Sequence, residues 1–421
     1  MRRSIYKLPS ICVIAALILC CPSCDKVPAG EEEAEAIIED SGNALKPLEL
    51  STKSAEYVND GFGFTFNFID QINTSAEGDY IVSPLSMQFL LGMILNGAQG
   101  ETAAEICKVL GYGADGVDDV NEYVSSMLEQ LPAMDKQTTL SIANGIFVNA
   151  PYPLKDNYKK TVGKYYDAEV TNLNFQDKEN SLNTINSWCA EHTNDLIPKI
   201  IDEVKPDILA YHLNALYFKS QWRYPFDKKA TEPEIFTDES GAKKEVSMMK
   251  QKVYTPYAES DIFSAVLLPY GNWAFSMLVL LPKSGHTVSD ITAALSKADW
   301  QTVLHSFDMC DVDLWLPKFE TNNEIKLNDI LSEMGMSLAF KPMQANLSAM
   351  SDFASHLDFV KQVGGIKVEE SGIEAAAVSG SGTGLTSLPD KVELRADHPF
   401  LYLITEHTTG AVLFAGRYSG K

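Results

Sequence analysis

The stretch Gly372–Asp390 reads GIEAAAVSGSGTGLTSLPD and stands apart from the rest of the chain. Gly, Ala, Ser and Thr dominate it, and apolar segments typical of β-strands lie on either side. Loops of this length without secondary structure are uncommon inside compact domains and are usually functional. Because a Gly-Ser composition also suits a flexible linker, the flanking sequence has to decide between the two interpretations.

Outward from this segment, hydrophobic periodicity predicts an α+β domain. Helical spacing of apolar residues occurs in four N-terminal segments, 57–72, 87–95, 103–110 and 120–131. Strand-like runs follow at 140–148, 208–218, 246–254, 264–268, 275–281, 312–316, 400–405 and 412–418. Helices first and strands later, without regular alternation, indicate antiparallel sheets.

The first 23 residues form a predicted export signal. Arg2 and Arg3 form a basic end, an apolar run extends to Cys21, and Ser23–Cys24 resembles a bacterial lipidation motif, so Cys24 is the expected lipid attachment point. An ordinary cleaved signal with an unmodified Cys24 is the alternative. Residues 24–50 are predicted to be an acidic tether and residues 51–421 the folded domain, at the bacterial cell envelope or surface and facing the periplasm or the exterior.

The formal net charge of -23 argues against nucleic acid or heparin as a partner, because polyanions need a basic patch. Outside the leader, Cys107, Cys189 and Cys310 are too few and too scattered for a disulfide framework or a metal site. We expect a monomer without cofactor or metal, in contact with a membrane only through the lipid.

Short motifs along most of the chain resemble the serpin family in its own order. They occur at 81–86 (IVSPLS), 96–102 (NGAQGET), 143–144 (AN), 185–188 (INSW), 213–219 (LNALYFK), 267–270 (LLPY), 316–319 (LPKF), 368–372 (VEESG) and 396–401 (ADHPFL). The resemblance implies three antiparallel β-sheets, eight or nine helices and an exposed reactive loop, here 372–390. It also implies inhibition of proteases rather than enzyme activity.

In serpins a protease cleaves the reactive loop, which then inserts into the central sheet as a new strand. Counted back from Thr386, the residues that would face the core carry no charge: Ile373, Ala375, Ala377, Ser379, Ser381 and Thr383. Glu374 falls on the opposite face with Ala376, where its charge would stay in water. A charge on the inward face would cost several kcal/mol. The predicted hinge comprises Glu370 and Gly372–Ala377.

The resemblance assigns two polar groups to the control of sheet opening. Trp222, Lys318 and Glu370 match the family's residues at the point where the loop enters the sheet. Ser83, Ser86 and Asn214 match a polar lock, whose customary His is replaced here by Gln362. Since Gln can donate and accept but does not titrate, a pH-sensitive release there is not expected.

Two counts place the cleaved bond differently. Counting from Gly372 gives Thr386–Ser387, with Leu385–Thr386 as the second choice, whereas counting back from Pro399 gives a bond next to Pro389. Proline after the cut resists most serine proteases, which favours Thr386–Ser387. No basic residue flanks this bond, so the expected partner is an elastase-like or subtilisin-like serine protease, with papain-like cysteine proteases as a second class.

Two other classes of function remain open. A hydrolase is disfavoured because the sequence has no HExxH motif and no GxSxG motif at a strand-to-helix turn. A serpin that binds or serves as a scaffold without inhibiting is the nearer alternative. The sequence argues against it only in that the loop has no charged hinge residue facing inward and no proline before Leu385.

Overall fold

The computed structural model describes residues 43–113, 116–358, 360–370 and 390–421. Cys24, Gly372, Ile373, Glu374, Ala375, Ala376, Ala377, Leu385, Thr386 and Ser387 lie outside these residues. The predictions made for them stay predictions.

Nine α-helices occur in the described residues, most of them in the N-terminal half. They are α1 (Thr52–Ser75), α2 (Pro84–Gly97), α3 (Gly100–Leu110), α4 (Val117–Gln130), α5 (Asp156–Tyr166), α6 (Lys178–His192), α7 (Val288–Leu295), α8 (Trp300–Leu304) and α9 (Asn328–Glu333). Helix α2 is buried on nearly every side and is mostly apolar, as expected of a helix inside a core. None of the described helices is long and apolar enough to cross a membrane.

Fourteen strands form three sheets in the described residues. They are β1 (Tyr80–Val82), β2 (Thr139–Asn149), β3 (Ala168–Leu173), β4 (Ala210–Lys219), β5 (Glu232–Thr237), β6 (Lys243–Glu259), β7 (Phe263–Pro269), β8 (Phe275–Pro282), β9 (Asp308–Pro317), β10 (Phe319–Lys326), β11 (Lys361–Val368), β12 (Lys391–Arg395), β13 (Phe400–Glu406) and β14 (Val412–Tyr418). The largest sheet has the order β1-β14-β13-β8-β7-β6-β9-β12, with β5 also paired to β6. The others are β3-β2-β4 and β10-β11.

The prediction of an α+β domain with three sheets and eight or nine helices is confirmed by the described residues, but the sheets are not purely antiparallel. Strand β3 pairs in parallel with β2, and β12 pairs in parallel with β9. A parallel pair needs a long crossover, and α5 supplies it between β2 and β3. Between β9 and β12 the chain passes through β10, α9, β11 and the loop segment. Helix periodicity alone could not reveal these two crossovers.

The residues just before α1 lie against the domain. Residues 43–50, which the sequence assigns to the tether, are hydrogen-bonded to it through Asn43, Leu48 and Glu49. Leu48 and Leu50 are partly buried against the main core. Residues 43–50 therefore contact the folded domain through hydrogen bonds and through partly buried leucines.

Candidate functional site

A seam separates two strands at the centre of the molecule. Strands β4 and β11 lie side by side, yet within the described residues no backbone hydrogen bond joins them, and each ends its own sheet. Asn214 in the middle of β4 and Gln362 near the start of β11 contact the same helix start at Ser83–Ser86. The C-terminal ends of the two strands meet where Trp222 bonds to Glu369. The two strands therefore run in the same direction, and a strand inserted between them from the end of β11 would be antiparallel to both.

The far end of the seam is closed by the three residues predicted to mark it, hereafter the gate: Trp222, Lys318 and Glu370. Lys318 Nζ lies 2.7 Å from Glu370 Oε2. The indole N–H of Trp222 donates to the carbonyl of Glu369 at 2.8 Å, across the seam from the end of β4 to the end of β11. The structure thus brings together all three gate residues.

Glu370 is a buried carboxylate, only 6% exposed, with several donors. Besides Lys318, the hydroxyl of Thr231 donates to Glu370 Oε1 at 2.8 Å. Burial acts to raise the pKa of Glu370, but the hydrogen bonds from Lys318 and Thr231 outweigh it and leave the pKa below its ordinary value. Because the folded pKa is lowered, this stabilisation is present at neutral pH and is lost only as the pH falls through that lowered value.

The ring of Trp222 also stacks on an aromatic side chain. Its ring lies 4.4 Å from that of Tyr270 with an angle of 12° between the planes. Tyr270 belongs to the turn between β7 and β8, and Arg223 N–H donates to the carbonyl of Pro269 at 2.9 Å. Tyr270 belongs to the family motif 267–270, but neither it nor Thr231 was predicted to belong to the gate, because both contacts join segments distant in sequence.

The predicted lock is also assembled, beneath the middle of the seam. Ser83 and Ser86 start α2, and the Ser86 hydroxyl donates to the side-chain oxygen of Asn214 on β4. Gln362 on β11 accepts from the backbone N–H of Ser83 at 2.8 Å and donates to its carbonyl at 3.0 Å. All four side chains are at most 5% exposed. Gln362 therefore fills the place of the customary His with two bonds that need one donor and one acceptor.

The lock extends further than the sequence indicated. Asn214 Nδ2 donates to Asn144 Oδ1 at 2.9 Å, and Asn144 Nδ2 donates to the carbonyl of Tyr166 at 2.7 Å. The Ser83 hydroxyl donates to the carbonyl of Leu413 at 2.6 Å. Asn144 lies in a family motif, but only the packed structure reveals that it supports Asn214.

A cavity of about 280 Å³ opens into the seam next to the gate. Tyr217, Phe218 and Trp222 line one side of it, and Ile366 and Glu369 line the other. The cavity therefore lies between the end of β4 and the end of β11, at the place where the chain leaves β11 toward the loop.

Two side chains of types that hydrolases use, Cys189 and His398, have structural surroundings. Burial raises the pKa of the Cys189 thiol to about 12, so this sulfur stays protonated and is not a nucleophile. Nδ1 of His398 lies 2.9 Å from Asp397 Oδ1, and its Nε2 lies 2.9 Å from the carbonyl of Pro282, so both ring nitrogens have structural partners. Within the described residues, no group of three or more His, Cys, Asp or Glu side chains could hold a metal ion.

Comparison with known proteins agrees with this architecture. The family model described as "Serpin (serine protease inhibitor)" matches residues 60–420. A serpin-like protein of Methanosarcina mazei is 30% identical over 403 residues, which cover 92% of this chain and 94% of the relative. The leukocyte elastase inhibitor of Xenopus laevis is 31% identical over 373 residues, which cover 85% and 97%.

Solved structures give the same result. The thermophilic serpin tengpin in its native state superposes with a TM-score of 0.79 at 25% identity, covering 90% of this chain and 97% of that one. Arabidopsis AtSerpin1 in its native stressed conformation gives a TM-score of 0.79 at 26% identity, covering 87% and 98%. With its seam, gate and lock in place, this chain belongs to the serpin family of serine protease inhibitors.

Proposed function

We propose that this protein inhibits its target as a suicide substrate, by inserting residues of the loop 372–390 into the seam after cleavage at Thr386–Ser387. The observation that carries the proposal is the seam itself. Two neighbouring strands in the same orientation, with no hydrogen bonds between them in the described residues, form a receptor for one antiparallel strand. The loop begins directly after β11, so it can reach the seam by reversing direction.

The free energy for insertion comes from pairing and burial. A strand of roughly a dozen residues adds about as many backbone hydrogen bonds, each worth about 0.5–1.5 kcal/mol. The cavity beside the gate offers space for small side chains such as those of Ala375 and Ala377. The small, uncharged inward face of the loop and the shape of the seam therefore support the same function.

Insertion traps the protease because it separates the catalytic groups from the acyl bond. The catalytic serine attacks the carbonyl carbon of Thr386 and forms an ester, and the chain from Ser387 onward leaves with the new amino group. Hydrolysis of the ester then needs a base and oxyanion donors in register, and displacement of about 1 Å can cost 100-fold in rate. A protease pulled along the seam by its ester loses this register.

The target class is read from the residues around the bond. Leu385, Thr386 and Ser387 are small or aliphatic, which suits elastase-like and subtilisin-like serine proteases and, through Leu385, papain-like cysteine proteases. A Xenopus relative is named a leukocyte elastase inhibitor, which supports elastase as the first protease to test. Incubation with elastase should give an adduct that resists SDS. An enzyme would give no adduct, and a serpin that does not inhibit would give only cleaved product.

The cleaved bond is predicted to be Thr386–Ser387. After reaction with elastase, the released C-terminal fragment should begin at Ser387 and end at Lys421. Mass spectrometry of the fragment measures this directly. A fragment beginning at Thr386 would instead support the second choice, and one beginning at Pro389 or later would show that the count from Gly372 is wrong.

We also propose that the protein is exported and anchored by a lipid on Cys24. Bacterial lipoproteins carry more than one acyl chain, because a single chain binds membranes only marginally. The change Cys24→Ala should move the protein from the membrane fraction to the soluble fraction of cells. Cys12→Ala, in the apolar part of the leader, is the matched control and should leave the distribution unchanged. Membrane retention of Cys24→Ala would refute the anchor.

A further inference from the structure

The residues 43–50 form an N-terminal segment that is fixed at three points. Asn43 Nδ2 donates to Asp135 Oδ1 at 2.8 Å, and Asn43 Oδ1 accepts from the Lys136 N–H at 2.9 Å. Glu49 exchanges two hydrogen bonds with the side chain of Gln130, at 2.7 and 3.0 Å. Leu48 N–H reaches the hydroxyl of Thr408. The segment therefore has specific partners at both of its ends.

Asp135, the main partner of Asn43, is a carboxylate that is only 2% exposed. Its other donors are the Gln137 N–H at 3.0 Å and the Thr138 hydroxyl at 2.8 Å. An ionised carboxylate can only accept, so Thr138 must donate its one proton to Asp135. The Ser220 hydroxyl, 2.6 Å from that of Thr138, must then donate to Thr138. Asp135 thus orients Thr138, which in turn holds Ser220.

Ser220 lies directly after β4 and two residues before Trp222 of the gate. A second set of contacts links Asp135 to the chain between Ser220 and Trp222, through Gly271. Gly271 packs so closely on Asp135 that a side chain at Gly271 would overlap the carboxylate. The Gly271 N–H donates to the carbonyl of Gln221 at 2.8 Å, between Ser220 and Trp222.

We propose that the N-terminal segment is a positioning element for sheet opening: by holding Asp135, Asn43 fixes the end of β4 and keeps Trp222 bonded across the seam. This inference rests on the loop insertion proposed above. When Asn43 is lost, the Asp135 carboxylate keeps two of its three donors, the Gln137 N–H and the Thr138 hydroxyl. The chain at Ser220–Trp222 then becomes more mobile, and the seam opens more readily.

The first test is hydrogen–deuterium exchange on the full chain with the change Asn43→Ala. Exchange in peptides covering 219–223 should become at least about threefold faster, while exchange in β13 and β14 stays unchanged. The matched control is Lys46→Ala, an exposed residue of the same segment. Equal exchange at 219–223 in the two variants would overturn the inference, whatever the outcome with elastase.

The second test measures how fast inhibitory activity is lost. It also tests whether Asn43 acts through the route defined by Asp135, Thr138 and Ser220. Uncleaved Asn43→Ala should lose its ability to form the elastase adduct at 37 °C about five- to tenfold faster than Lys46→Ala, through spontaneous insertion of the loop. Ser220→Ala removes the last hydroxyl of the route. If the route is real, the double variant should lose activity little faster than either single variant. Fully multiplicative effects would show that Asn43 does not act through Ser220.

These two tests separate the two proposals. If no protease gives an adduct but exchange at 219–223 rises only in Asn43→Ala, the proposed inhibition fails and the link from Asn43 to β4 stands. If adducts form normally and exchange does not respond, inhibition stands and the role of the N-terminal segment is wrong.

Discussion

The change Ala375→Glu should convert the protein from an inhibitor into a substrate of elastase. Ala375 is predicted to face the core after insertion, so the new carboxylate would have to leave water, at a cost of several kcal/mol. Each 1.36 kcal/mol in the barrier slows insertion about tenfold. Hydrolysis of the ester would then win over trapping, and the number of inhibitor molecules consumed per elastase should rise from near one to about ten or more.

Ala376→Glu is the matched control for this result. It adds the same charge one residue further along, on the face predicted to stay in water beside Glu374. Titration of elastase with each variant measures the stoichiometry of inhibition. Equal stoichiometries for the two variants would contradict the alternation of faces and with it the insertion of this loop.

The change Gln362→Ala should destabilise the closed seam more than any other single change in the lock. It leaves the buried N–H of Ser83 without its partner, at about 1–3 kcal/mol. The Ser83 carbonyl loses one of its two donors and keeps the Met87 N–H, at about 0.5–1.5 kcal/mol. Strand β11 would lose its tie to the start of α2. We expect lower stability of the uncleaved protein in urea, by about 2–4 kcal/mol, and faster loss of inhibitory activity at 37 °C.

Gln176→Ala provides the control, because Gln176 is exposed and lies away from the seam. Urea unfolding of the uncleaved protein gives the stability, and timed samples mixed with elastase give the loss of activity. If Gln362→Ala and Gln176→Ala behave alike in both measurements, the lock at Gln362 does not hold the seam closed.

Several features of the fold followed from local sequence. The apolar periods of α1, α2 and α4 and of β2, β4, β8, β13 and β14 predicted these elements near the positions at which they occur. Such periods are reliable because one buried face constrains residues close in sequence. The parallel pairs β2–β3 and β9–β12 could not be predicted from such periods. Which strand pairs with an edge depends on where the long connecting segment brings the chain back to the sheet.

The residues of the gate and the lock also fall into those that the sequence named and those that only the structure revealed. Resemblance to a family named Trp222, Lys318, Glu370, Ser83, Ser86, Asn214 and Gln362, and the structure brings each set together. It did not name Thr231, Tyr270 or Asn144, whose contacts cross between distant segments. The assignment of 43–50 to a tether also missed the bond from Asn43 to Asp135, because a single partly buried polar residue carries no periodic signal.

The sequence by itself thus determined the class of domain and the mostly small, little-charged composition of the loop. Through the family resemblance it also named the residues that the structure brings together in the gate and the lock. Only the tertiary structure decided that β4 and β11 lie side by side in the same direction without a ladder in the described residues. Local propensity acts over a few residues, whereas a seam is a relation between two strands about 150 residues apart in sequence, 210–219 and 361–368. It forms because packing of the whole core places both strands over the start of α2, where Ser83 bonds to Gln362 of β11 and Ser86 bonds to Asn214 of β4.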